Sequence, residues 1–258
     1  MAKKWTKFPH ADPAYLYEGA ALKKAWPRLH QGDREAYPKD AAVANAWRHF
    51  HAGAFGEAVE AGRAVGGPGI NAAAKAQCIH ARYLERDEKA RLALFEEAAK
   101  WADARRREAP DDANAHYLYA QALGRYGQGI SVAKALAQGF GGKIRDALVR
   151  TLEIDPKHAE AALAFGAYQS EVIDKVGALV AGLTYGARKE SAIEYFERAA
   201  KLFPESPIVH IEYANGLILL FGKRRLADAT RLYERAAAAT PRDAMERLDV
   251  EFAKGELA

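Results

Sequence analysis

Apolar residues along the chain fall in stretches with helical spacing, separated by Pro, Gly and capping Asp or Asn, and no run alternates Val, Ile and Thr in the two-residue period of a strand. Caps and breakers divide these stretches into helices. Asp12-Pro13 opens a first helix running to about Trp26, where Pro27 ends or kinks it. Asp40 opens the next, Phe55 to Val65 forms another, Asn71 caps the helix containing Cys78, and a long helix covers roughly Glu88 to Arg107. Then follow Ala113 to Tyr126, Lys143 to Glu153, Lys157 to Val172, Glu190 to Leu202, Pro207 to Phe221, Leu226 to Ala238 and a terminal helix from Pro241. The expected fold is all-α.

The helices repeat in phase. Ala192, Phe196 and Ala199 precede Pro204 by 12, 8 and 5 residues, and Ala229, Tyr233 and Ala236 stand at the same offsets before Pro241. Small residues let paired antiparallel helices approach, the aromatic fills the space between them, and proline stops the helix. This is the A-x3-F…P pattern of the second helix of a tetratricopeptide (TPR) repeat, and the chain resembles that superfamily. Tyr119-Ala120, Phe165-Gly166 and Tyr213-Ala214 stand at the Leu-Gly site of first helices, while His116, Ala162 and His210 replace the consensus tryptophan. An earlier unit has Gly53, Phe55 and Ala58 at the inter-helix turn. The resemblance implies a right-handed α-solenoid of helix hairpins over residues 41–241. Residues 1–40 are expected to form a helical cap or degenerate repeat, and residues 242–258 a capping helix.

Pro110, Pro156, Pro204 and Pro241 are spaced by 46, 48 and 37 residues, against a TPR period of about 34. The surplus falls between the two helices of a hairpin, at residues 128–143 and 174–189. Both inserts are apolar, glycine-broken and end in an aromatic-glycine pair, Phe140-Gly141 and Tyr185-Gly186. Such segments need cover. Either they form short helices that pack on each other and on neighbouring repeats, or Val132, Leu136, Phe140, Leu179, Leu183 and Tyr185 wall a cavity for an apolar small molecule or lipid, or make a subunit contact in a self-assembling protein.

With its inserts, the stretch from Lys100 to Phe203, about 40% of the chain, resembles the TPR domain of the regulator of microtubule dynamics proteins. It is more distantly similar to TRAP-transporter T-component proteins. The first resemblance implies protein-partner binding and, in some members, phospholipid handling; the second implies apolar-ligand binding.

Composition narrows the remaining classes. The formal charge of +4 is a small excess of 38 Lys and Arg over 34 Asp and Glu, and the densest basic run, Arg105 to Arg107, is followed by Glu108, Asp111 and Asp112, so nucleic acid is not an expected partner. No apolar stretch approaches the roughly 18 residues of a membrane span, and MAKKWTKFPHADP lacks the apolar core of a secretion signal. A cytoplasmic location is expected. The single cysteine, Cys78, sits in an alanine-rich helix and reads as structural. The eight histidines lack metal-ligand spacing, with His49 and His51 on different faces of a helix. No phosphate loop and no nucleophile elbow is present. No catalytic residue, metal or cofactor is expected, and the chain reads as a non-enzymatic scaffold or adaptor.

First helices line the concave face of a TPR stack. Asn114, Tyr117, Gln121 and Arg125 are expected there with Glu160, Leu163, Ile211, Asn215 and Ile218, and Val43, Trp47 and Phe50 extend the face. Aromatic anchors beside amide and guanidinium donors suit a protein or peptide partner. Tyr117, Trp47 and Ile211 are equally explained as inter-repeat core. The Lys/Asn/Arg set that clamps acidic chaperone tails is not reproduced, because only Asn215 and Arg125 could contribute.

Overall fold

Side-chain caps set where six of the helices begin: Asp40, Asp87, Asp112, Ser131, His158 and Asp243 each accept a hydrogen bond from a backbone N–H in the first turn that follows. The computed structural model describes residues 5–258, and among them there is no strand. A 3-10 turn, Pro13–Tyr15, precedes α1 (Ala20–Leu29), α2 (Ala41–His51), α3 (Phe55–Val65), α4 (Gly69–Tyr83), α5 (Glu88–Glu108) and α6 (Ala113–Gln128). The first insert forms α7 (Val132–Ala137) and the start of α8 (Phe140–Ile154). After α9 (Ala159–Val176), the second insert forms the single turn α10 (Ala178–Val180) and a π-helical turn, Ala181–Tyr185. The chain ends with α11 (Lys189–Leu202), α12 (Pro207–Phe221), a 3-10 turn (Gly222–Arg225), α13 (Leu226–Ala237) and α14 (Ala244–Leu257).

Helices α2/α3, α4/α5, α6/α8, α9/α11 and α12/α13 are antiparallel hairpins stacked in order, a TPR-like α-solenoid. The phased residues do what their chemistry implies: Ala192, Phe196, Ala199, Ala229, Tyr233 and Ala236 are all buried. The Phe196 ring stacks on Tyr213, centroids 5.1 Å apart, and lies over Gly166 and Gly216, where a Cβ would collide with it. Gly62 of α3 and Gly69 of α4 bring two helix backbones together so closely that a Cβ on either would meet the other's carbonyl oxygen.

Two expectations at the N-terminal end are corrected. The predicted Asp12 to Trp26 helix is split: Asp12 caps only the 3-10 turn, and α1 begins at Ala20 and passes through Pro27. The helix is interrupted at Gly19, whose φ of 52° is not that of a right-handed helix, and in the segment between the Tyr17 hydroxyl donates to the Arg242 carbonyl, 2.6 Å away. Pro27 lies in the last turn of α1, beside buried Trp26, whose Nε1 donates to the Glu35 carbonyl. Val43, Trp47 and Phe50 do not extend a groove. All three are buried in a second core with Phe8, Tyr15, Leu22 and Trp26, and with Ala244, Met245 and Leu248 of α14.

That shared core closes the stack on itself. Helix α14 packs on α12 and α13 and also on α2. The Arg242 guanidinium donates to the Arg28 carbonyl at 3.0 Å, His51 Nδ1 lies 2.7 Å from Asp243 Oδ2, and the Tyr83 hydroxyl bonds Asp249. The first and last elements therefore meet across the concave side.

Candidate functional site

An apolar cavity lies between the third and fourth hairpins, against α12 of the fifth. It has a volume of about 400 Å³ and is bounded by α6, α7, α8, α9, the second insert and α12. Its apolar walls include Leu136, Phe140 and Ile144 from the first insert and α8, Leu163, Ala167 and Val172 from α9, and Ile208 from α12. The spacing on α9 explains why that helix faces the cavity: residues 160, 163, 164, 167, 168 and 171 share one stripe. Ala164 and Ala167 on that stripe are small, which leaves the space open.

At one end the lining becomes polar. Arg125 and Arg82 converge on one carboxylate, Glu212, at 2.6 and 3.0 Å. Burial alone would raise the Glu212 pKa, but the two guanidiniums outweigh it and hold the carboxyl down at about 2. Gln121 Nε2 donates to the Tyr117 hydroxyl at 3.0 Å, leaving Gln121 Oε1 buried with no hydrogen-bond partner among the described residues. The Tyr168 hydroxyl on the same lining is also buried and unpartnered among them. Both atoms belong to residues of the cavity lining and are left unsatisfied by the described residues.

Of the residues expected on the concave face, Tyr117, Gln121, Arg125, Glu160 and Leu163 come together on this lining. Asn114 does not: its Nδ2 donates to Glu35 Oε2 at 2.7 Å and to the Asp33 carbonyl, and His158 bonds its Oδ1. The α12 residues are also displaced. Ile211 is buried in the core shared with α13 and α14, Asn215 Oδ1 accepts from Tyr233, and Ile218 faces solvent, while Ile208 and Glu212 reach the cavity. Helix α12 is apolar nearly all round, so no polar stripe marked its phase in the sequence. Of the six insert residues expected to wall a cavity, Val132, Leu136, Phe140 and Tyr185 do so. Leu179 and Leu183 do not; they lie on the outer side of the second insert, because buried Ala181 turns the opposite face inward.

Under the cavity floor lies a buried ionic network that the sequence did not reveal. Lys75 Nζ of α4 contacts Asp33 at 2.6 Å and Glu160 at 2.9 Å. Burial would lower the Lys75 pKa, but the two carboxylates outweigh it and raise it. Asp33 also bonds His30, whose Nε2 is 3.2 Å from Nε2 of His51, and His51 in turn bonds Asp243. Only the i, i+3 pair His30 and Asp33 carried a local signal. Among the described residues no group of three or more His, Cys, Asp or Glu side chains could hold a metal ion. Cys78 is buried, and burial pushes its thiol up to about 12.

A second cleft, about 490 Å³, opens between Asp33, Glu35, Arg105, Asp112, Asn114 and Asp155. Its acidic groups are engaged within the fold: Arg34 pairs with Asp155, Arg105 with Asp112, and Asn71 and Asn114 with Glu35. This cleft is a structural joint.

Glu35 gives the fold a pH dependence. Burial, followed by the nearby Asp33 and Asp112 charges, pushes its carboxyl up to about 8, and burial raises Asp249 to about 7. A carboxyl whose folded pKa is raised binds more protons folded than unfolded, so it costs stability as pH rises toward that value. Between pH 8 and 6.5 the unfolding free energy is therefore expected to rise by roughly 1–2 kcal/mol from Glu35 alone. Below that window His30 and His158, both held near 4 by burial, act in the opposite sense and erode stability. Urea denaturation across this range checks the maximum on the acid side of neutrality, and Glu35→Gln is expected to flatten the rise between pH 8 and 6.5.

Comparison with known proteins agrees with this architecture. No curated protein matches the chain. A solved structure of a thermophilic TPR protein of Thermus thermophilus superposes with a TM-score of 0.57 over 83% of this chain and 97% of its own, at 13% identity, a likeness of fold. The family model of regulator of microtubule dynamics protein 1-3 matches residues 70–249. That segment is well over half the sequence and contains both inserts and every wall of the cavity. The chain belongs to the regulator of microtubule dynamics protein 1-3 family.

Proposed function

We propose that this helical-repeat scaffold is a non-enzymatic binder of an amphipathic small molecule, with an acyl-type chain in the cavity and a polar head at the Gln121 and Arg125 end. The observation that carries this reading is a cavity of about 400 Å³ with mainly aliphatic and aromatic walls and a polar end formed by Gln121, Arg125, Arg82 and Glu212. Its size falls within the roughly 300–1,000 Å³ range of ligand sites. The alternative, an extended peptide along the concave face, has less support. Lys75, Glu160, Arg82, Arg125 and Glu212 already bond one another across that face, and α14 bridges its ends.

The test is native mass spectrometry of the freshly purified protein, then titration with a long-chain fatty acid and a phospholipid. A bound lipid-sized mass is expected. Ala167→Trp places an indole in the cavity and is expected to lower uptake more than tenfold, since displacing two methylenes already costs about 1.6 kcal/mol. A protein that takes up neither probe, or an Ala167→Trp variant with undiminished uptake, rules the reading out.

A further inference from the structure

The two inserts that border the cavity leave their remaining surface bare. Helix α7 and the turn α10 bury no residue. Leu179 and Leu183 are 76% and 82% exposed, more than any other large hydrophobic among the described residues, and Val180 beside them is 48% exposed. Leu179 and Leu183 are four residues apart in helical backbone and so project from one side. The inserts adjoin: Tyr185 of the second lies against Gly141 at the end of the first, and both reach the lining of the same cavity.

Charge says what covers this surface. Residues 128–143 and 174–189 hold Lys134, Lys143, Lys175, Arg188 and Lys189 against Asp174 alone, a net +4 that equals the formal charge of the entire chain. The rest of the sequence is balanced. Lys134, Lys143 and Arg188 are exposed and make no ion pair among the described residues. A second copy docked through the same patch would set +4 against +4. The exposed apolar side chains are Leu and Val, with none of the exposed Trp or Tyr anchors that dominate protein interfaces. Aliphatic side chains rimmed by lysine and arginine match the boundary between headgroups and acyl chains of an anionic bilayer.

We infer that the paired inserts are a docking surface for an anionic lipid bilayer, with Leu179 and Leu183 entering the interface and Lys134, Lys143 and Arg188 contacting the headgroups. This goes beyond the cavity reading and holds whatever the cavity takes. The bilayer association is peripheral, because no helix among the described residues is long and apolar enough to cross a membrane.

Co-sedimentation of the full chain with phosphatidylcholine vesicles, with and without phosphatidylserine, tests it. Binding is expected to the anionic vesicles, to weaken in high salt, and to be slight with phosphatidylcholine alone. The double variant Leu179→Asp/Leu183→Asp changes only exposed side chains and is expected to keep the parent's thermal midpoint and fatty-acid uptake. It should reduce vesicle binding roughly tenfold or more. Lys134→Glu/Lys143→Glu/Arg188→Glu is expected to abolish the preference for anionic vesicles. Three results overturn the inference: a parent that ignores both vesicles, a double variant that binds like the parent, or a parent that forms dimers which the double variant disrupts, which would make the occupant a second copy.

Discussion

Lys75→Met is expected to lower the free energy of unfolding at pH 7 by about 3–5 kcal/mol, the usual cost of removing one partner from a buried ion pair. Lys75 is buried between Asp33 and Glu160 on segments far apart in sequence. Its removal leaves two desolvated carboxylates facing each other near Tyr117 and His30. In the parent, burial pushes Asp33 upward, but His30 and Lys75 outweigh it and hold its carboxyl well below the usual range. Without the ammonium, both carboxyls would rise. A raised carboxyl stabilises the fold below its unfolded pKa and loses that contribution as pH climbs, so the deficit of the variant should shrink on acidification. Adding Asp33→Asn and Glu160→Gln should recover most of the loss, because a neutral, hydrogen-bonded set has no stranded charge. Urea denaturation at two pH values measures all of this. A loss below about 1 kcal/mol would show that water reaches the network and that Lys75 bridges nothing essential.

Phe196→Ala is the second large effect, again about 3–5 kcal/mol. The ring is fully buried, stacked on Tyr213, and seated over Gly166 and Gly216. More diagnostic is the coupling to Gly216. In the parent, Gly216→Ala drives a Cβ into the Phe196 ring and must destabilise. In the Phe196→Ala background the methyl enters vacated space, and the better helix propensity of alanine, about 1 kcal/mol over glycine, makes the same change stabilising. A double-mutant cycle by chemical denaturation should therefore show Gly216→Ala reversing sign. If it destabilises equally in both backgrounds, the two residues do not share that space.

The contrast between these residues shows what the sequence could disclose. Phe196 was legible because repeat packing fixes an aromatic and two alanines at set distances from a proline, and the helix hairpins followed from the same rule. The inserts were visible as surplus between paired helices, and four of their six singled-out residues line the cavity. Lys75 was not legible: its partners stand 42 and 85 residues away and recur with no period. The displaced face of α12 was missed for a different reason, since a helix apolar all round has no moment to phase it. Closure by α14 was hidden because the Asp243 cap and the Met245 and Leu248 stripe specify a helix without specifying its neighbour.

That closure changes how the repeats depend on one another. In an open array each unit leans only on its two neighbours, and the outermost units, having one, fray first and let unfolding spread inward like an unzipped row. Here the last helix shares a core with the first hairpin, and the Tyr17 to Arg242 and His51 to Asp243 bonds tie the two ends together. A row joined end to end has no outermost member. The molecule lacks a weak tip from which to unravel, so opening any hairpin means breaking contacts on both of its sides.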